Sequence, residues 1–223
     1  LMIPNGTTLD GSTAPAPGVC IKGSVDVGSD CVVRYIRVRP GGVSSGDALQ
    51  IIGSNVLIEH CSLSWGNDEN IGVKRVEGIV NRNVEIAWCI LAEAGKGMLA
   101  WYCDGLKFHH NVLAHQYIRN PVFTGYRTDI FNNVIYDIGD TCVALKGDVA
   151  ANIVGNYFKV GNWSRLHRYC VNIENLDTGV PSPTTQIYIS GNSGPRTREG
   201  QPEWTEVRYD NGGEAAEAIH RAY

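Results

Sequence analysis

Leu106-Lys107-Phe108-His109-His110-Asn111-Val112-Leu113-Ala114, Asp129-Ile130-Phe131-Asn132-Asn133-Val134-Ile135-Tyr136 and Asn152-Ile153-Val154-Gly155-Asn156-Tyr157-Phe158-Lys159 are one phrase written three times. Each is a short β-prone stretch closed by an asparagine and followed at once by a second β-prone stretch, and the asparagines recur after 22 and 23 residues. Earlier copies are Val84-Glu85-Ile86-Ala87-Trp88-Cys89, Leu57-Ile58-Glu59-His60-Cys61 and Val32-Val33-Arg34-Tyr35-Ile36. The closing residues Ile36, Cys61, Cys89, Asn111, Asn133 and Asn156 are thus 25, 28, 22, 22 and 23 positions apart, and a weaker copy ending at Asn192 follows after 36. A unit of two or three short strands cannot close a core alone, whereas stacked units bury a continuous aliphatic column. The repeat therefore reads as an all-β solenoid, a parallel β-helix that adds one coil per period. A two-sheet sandwich would need hairpin signals such as Asn-Gly between its strands, and these are few. Asn111, Asn133 and Asn156 are expected to stack at one bend, their amides bonded along the axis.

A single domain over residues 1–223 follows, with coils at about 20–162 and 186–193, an inserted loop at 163–185 where the period breaks, and a polar tail at 194–223. Glu214-Ala215-Ala216-Glu217-Ala218-Ile219-His220 has the composition of a short terminal helix. Two hundred and twenty-three residues, 43% hydrophobic and 19% charged, describe a globular chain. The net charge of −4 leaves no general positive field for nucleic acid or an anionic membrane. No apolar run approaches the roughly 18 residues of a membrane span, and Leu1-Met2-Ile3-Pro4-Asn5 lacks the basic and apolar regions of a signal peptide, as in a mature form or a fragment. Seven cysteines without a CxxC pair argue against a zinc cluster and read as mostly buried thiols, with room for one or two disulfides in a secreted protein. A monomer is expected.

Coil geometry turns counting into a search for a site, because equivalent positions on adjacent coils lie about 4.8 Å apart. Seven residues after Cys61 is Asp68, seven after Cys89 is Lys96, eight after Asn111 is Arg119, seven after Asn133 is Asp140, and seven after Asn156 is Trp163. Asp47 belongs at the head of this column, 21 residues before Asp68. Any one of them would pass as part of a solvated charged face; the column and its order of signs carry the functional reading. Two acids at one end suit a hard, oxygen-seeking cation such as Ca2+. Lys96 and Arg119 suit a carboxylate-bearing ligand, Trp163 offers a face for a sugar, and a groove open at both ends suits a polymer.

These residues resemble the pectate lyases of polysaccharide lyase family one. The carrying motifs are Val33-Arg34-Tyr35-Ile36-Arg37-Val38-Arg39-Pro40, Asp47-Ala48-Leu49, Val56 to Trp65, Asp68-Glu69-Asn70, Lys96-Gly97, His109-His110-Asn111, Arg119-Asn120-Pro121 and Asn132-Asn133, spanning roughly residues 7 to 160 in the family order. The resemblance implies a right-handed parallel β-helix, an extracellular location, and calcium-assisted cleavage of polygalacturonate by β-elimination. It assigns the base to Arg119, a substrate carboxylate to Lys96, and calcium to Asp47 and Asp68. Where the family often carries a third acid this chain has Gly72, with Glu69 as the compensating carboxylate; where it carries a second arginine this chain has Thr124, with Arg127 the nearest substitute. Arg127, Asp140 and Trp163 complete the expected substrate contacts.

In a uronate chain the C5 proton is acidic because its loss places charge on the C6 carboxylate. Neutralising that carboxylate by a cation at Asp47 and Asp68 together with Lys96 is the main task. A guanidinium is an awkward base, since its pKa lies above about 12, and crowding by Lys96 and a cation would help it release its proton. Two other readings stand behind. One is a glycoside hydrolase on the same fold using Asp68 with Glu69 or Asp104 as paired carboxylates; the other is a uronate-binding β-helix without catalysis. His60, His109 and His110 fall beside the ladder and read as structural histidines rather than general bases.

Overall fold

The computed structural model describes residues 1–42, 46–140, 142–164, 169–174 and 185–209. The chain winds as a parallel β-helix with three sheets along its length, each coil contributing one short strand to each. The first sheet stacks Met2–Ile3, Val25–Val27, Leu49–Ile51, Glu69–Val73, the second half of Ile90–Trp101, the first halves of Val122–Phe131 and Val143–Val154, Val171–Glu174 and Val207–Tyr209, all in parallel. The second runs from Thr8–Asp10 through Cys31–Arg34, Val56–Glu59, Asn81–Ala87 and Cys103–His109 to Gln186–Ser190. The third runs from Val19–Lys22 through Ile36–Arg39, Ser62–Ser64 and Val112–Ile118 to Tyr157–Lys159.

Alternation within each strand points one set of side chains inward. Val33, Ile58, Ile86, Phe108, Ile130 and Ile153 form one such internal row, all fully buried. Burial of that continuous column is the main favourable term of the fold. No helix among the described residues is long and apolar enough to cross a membrane.

The asparagine ladder forms and extends to Asn192. Asn133 Oδ1 accepts from the Asn111 backbone N–H at 2.9 Å and its Nδ2 at 3.1 Å, while Asn133 Nδ2 donates to Phe108 O and to Asn156 Oδ1, both at 2.9 Å. Asn156 repeats this with Asn192. These four side chains are at most 5% exposed, so each amide replaces water for a backbone that turns a corner inside the molecule. One residue earlier on each coil the backbone is left-handed, at Tyr35, His60, Trp88, His110 and Asn132. There Tyr35, His60, Trp88 and His110 stack outward, with ring centroids 4.8, 6.1 and 4.3 Å apart.

Coil strands extend beyond the span that the repeat marks. Thr8–Asp10 already pairs with Cys31–Arg34, Val171–Glu174 is a coil strand within the segment read as an inserted loop, and Val207–Tyr209 pairs with it from within the segment read as tail. These strands are only three or four residues long and have no ladder residue at the usual offset, so the period cannot reveal them. The expected terminal helix at 214–220 lies outside the described residues. Six of the cysteines are buried, Cys20 is exposed, and all seven are free thiols.

Candidate active site

The connection from the third sheet to the first delivers the charged residues to one face. Asp47 precedes Leu49–Ile51, Glu69 opens the next strand of the first sheet, and Glu69 pairs in register with Lys96. The Met98 N–H donates to Arg119 O at 2.7 Å, which puts Arg119 on the following coil. Gly97 is what permits this approach: a Cβ there would lie 2.5 Å from Arg119 O and 2.7 Å from Asn120 Oδ1. Arg119 itself has φ +63°, a left-handed conformation that costs a residue with a Cβ roughly 1–2 kcal/mol. The same left-handed conformation recurs at other non-glycine residues, such as Trp65, Glu93 and His115, so at Arg119 it belongs to the turning of the coil.

Asp47, Asp68 and Glu69 form a cluster in which one carboxylate oxygen of each lies within 4.8 Å of one of each of the others. Asp47 and Glu69 are 9% and 3% exposed, so their mutual repulsion is poorly screened by water. Asp47 Oδ1 accepts the Glu69 backbone N–H at 3.0 Å, and its Oδ2 accepts Gln50 Nε2 at 3.4 Å. Burial first, and then the charge of Asp68, push the Asp47 carboxyl up to about 6. Lys96 Nζ is ion-paired with Asp68, and Arg119 Nη1 with Glu69. Three carboxylates facing two cations leave one negative charge uncompensated. Gly72 packs against this cluster, where a Cβ would meet Asp47 Oδ2 at 2.2 Å. Position 72 therefore has no room for a side chain while Asp47 keeps its place, and the third carboxylate comes from Glu69.

An open groove runs along the outer face of the first sheet past these residues. On the side of the acids it is lined by Gln50, Gly72, Lys74 and Arg75, on the far side by Ile118, Val122, Thr124, Lys146 and Glu174; Leu99, Trp101 and Arg119 line both parts. Gln50, Trp101 and Lys146 are contributions that counting along the column misses. The structure supplies the reason: in Ile90–Trp101 and Val122–Phe131, alternation turns residues 99 and 101, then 122 and 124, outward together.

The structure brings Asp47, Asp68, Glu69, Lys96 and Arg119 together. It does not bring the other expected residues to this part of the groove. Asp140 is half-buried against a small apolar cavity with Ile138, Cys142, Phe158 and Cys170. Trp163 is 68% exposed in the connection after Tyr157–Lys159, its backbone N–H donating to Asp137 Oδ1 at 2.7 Å. Arg127 belongs to the second sheet, because the left-handed Gly125 and Tyr126 turn the chain just before it. It grips Asp104 through two hydrogen bonds of 2.9 and 3.0 Å, while Arg82 takes the same carboxylate at 2.7 Å. The Arg127 hydrogen bond is the main cause holding the Asp104 carboxyl below its ordinary range. Asp104 is thus committed on a different face from Asp68, which removes that pair as facing hydrolytic carboxylates. His60 and His110 belong to the aromatic stack, and His109 stacks on Phe131 at 4.4 Å with Nε2 3.2 Å from Glu85 Oε1.

No protein-family model matches the chain. A protein of Aspergillus terreus named "Probable pectate lyase C" is 33% identical over 172 residues, covering 72% of this chain and 41% of that protein. Its namesake in Aspergillus flavus is 31% identical over 211 residues, covering 87% of this chain and 48% of that protein. The chain is a homologue of the pectate lyases. It spans less than half the length of these curated relatives. Among solved structures, a pectate lyase from Bacillus sp. N165 in complex with trigalacturonate superposes with a TM-score of 0.57 at 17% identity, covering 90% of this chain and 75% of that one. That likeness shows the fold.

Proposed function

We propose that this chain forms the catalytic groove of a secreted polysaccharide lyase that cleaves α-1,4-linked polygalacturonate by β-elimination. The observation that carries the reading is the cluster of Asp47, Asp68, Glu69, Lys96 and Arg119 in one open groove of a pectate lyase homologue. The donor set fits Ca2+, since three carboxylates that can each bring one oxygen within 4.8 Å of the others form a hard oxygen site. Asp47, Asp68 and Glu69 would hold the ion, which when bound neutralises the substrate carboxylate next to the acidic C5 proton.

Lys96 then binds that carboxylate as a compact point charge and stabilises the negative charge that develops on it. Once substrate entry has broken its pair with Glu69 and the guanidinium has released a proton to solvent, Arg119 takes the C5 proton as a neutral guanidine. The electron pair of the C5–H bond forms the C4–C5 double bond, the bond from C4 to the glycosidic oxygen breaks, and the departing oxygen takes a proton from water. Trp101 offers an apolar wall beside Arg119 that limits water at the reacting carbon. The protein acts as a monomer outside the cell. The test is incubation with polygalacturonate, following the ultraviolet absorbance of the 4,5-unsaturated product with calcium and with chelator. Absorbance growth that chelator abolishes supports the reading. New reducing ends without that absorbance would mean hydrolysis, and neither signal would mean a binding protein.

A further inference from the structure

The two halves of the groove differ in charge. Beside the acids it offers carboxylates, Lys74 and Arg75. Beyond Arg119, each cation is already neutralised by a carboxylate of the protein: Arg119 by Glu69, and Lys146 by Glu174 at 2.5 Å, with only 14% of the Glu174 side chain exposed. The floor of this half is Leu99 and Val122, which form with Ala144 an apolar cluster on the outside of the coil, separate from the main core and packed against Trp101. Strand register sets it: Leu99, Val122 and Ala144 are successive rungs of one outward row, and Trp101, Thr124, Lys146 and Glu174 are rungs of the next.

An ionised uronate in this half would lie over an apolar floor, lose water, and meet, among the described residues lining this half, only Arg119 and Lys146, each already paired with a carboxylate; such a charge is costly to desolvate. A uronate whose carboxyl is a methyl ester has no charge to compensate and brings an apolar methyl group to an apolar floor. We infer that the half of the groove formed by Leu99, Trp101, Val122 and the Lys146–Glu174 pair selects a methyl-esterified uronate, while the acid-cluster half takes a free one. The inference rests on the lyase reading and names its substrate: a partly esterified polymer rather than a fully ionised one.

Polymers of graded methyl esterification test it, at saturating calcium, with the unsaturated product followed on each. Wild type is expected to turn over a half-esterified polymer about tenfold faster than the de-esterified one, the scale of a single methyl-sized contact. Glu174→Gln releases the Lys146 charge and is expected to reverse that preference. A rate highest on the de-esterified polymer, falling with every added ester and unchanged in Glu174→Gln, overturns the inference and leaves the lyase reading standing. Absence of unsaturated product on every polymer overturns the lyase reading. Calorimetric binding of trigalacturonate and of its methyl ester then decides the groove separately: tighter binding of the ester supports the inference, and equal or weaker binding overturns it.

Discussion

Replacing Asp47 by Asn separates the two tasks that the acid cluster performs. In the metal-free protein Asp47 is a cost at neutral pH, because its carboxyl is raised from 3.8 to about 6 by burial and by the charge of Asp68. Between those values the folded state holds a proton that the unfolded chain has released. Raising the pH through that window therefore removes stability, by ~3 kcal/mol at ~1.4 kcal/mol per pH unit. The loss begins above about pH 4 and is complete above about pH 7. The substitution keeps an oxygen for the Glu69 N–H, whose bond to Oδ1 is 3.0 Å, and the Gln50 amide can turn to offer its oxygen to the new NH2. In chelator, Asp47→Asn is expected to be the more stable protein at pH 7, with a midpoint higher by ~6–12 °C at ~2–4 °C per kcal/mol. The two proteins should converge near pH 4. Thermal or urea unfolding in chelator from pH 4 to 8 measures this. In calcium the order of function inverts: the variant should lose the calcium dependence of activity along with the ligand. A wild-type stability that stays flat from pH 4 to 7, or a variant with the same slope, would refute the reasoning, because the charge of Asp47 would then cost the fold nothing.

Four further outcomes are expected. Arg119→Lys keeps the charge but loses the planar fork and moves the basic nitrogen, so kcat should fall by about 10²–10⁴ with polymer binding little changed; Lys96→Ala should raise KM and lower kcat together, because a carboxylate contact acts in ground and transition states alike. Steady-state kinetics on polygalacturonate separates the two. Gly72→Ala puts a Cβ 2.2 Å from Asp47 Oδ2 and must displace that carboxylate, so calcium affinity measured by calorimetry should drop at least tenfold while the fold, read by circular dichroism, persists. Asn133→Ala strips partners from the Asn111 N–H and the Phe108 carbonyl, both inside the stack, and should cost about 3–5 kcal/mol in urea unfolding, without a specific effect on the groove.

The sequence alone determined the parallel β-helix, the asparagine ladder and the nearness of Asp47, Asp68, Lys96 and Arg119. The reason is geometric: in a coil that repeats, distance along the chain converts into position in space, so residues one period apart become neighbours without any knowledge of the rest of the fold. That conversion holds only while the corners are equal. The ladder continues through Asn192 despite a step of 36, Asn192 Oδ1 accepting the Asn156 backbone N–H as the earlier rungs do. At the next connection, counting seven onward from Asn156 reaches Trp163, which tertiary structure leaves 68% exposed away from the Arg119 part of the groove. Arg127 lies near Arg119 in the chain, yet a left-handed turn at Gly125 and Tyr126 carries it to another sheet and into the grip of Asp104. Glu69 beside Asp68 is visible in the sequence as an acid. Only packing decided that it reaches across 50 positions to Arg119, that the bare Cα of Gly72 leaves space for Asp47, and that Glu174 silences Lys146, because each depends on which way a side chain turns and what already fills the space.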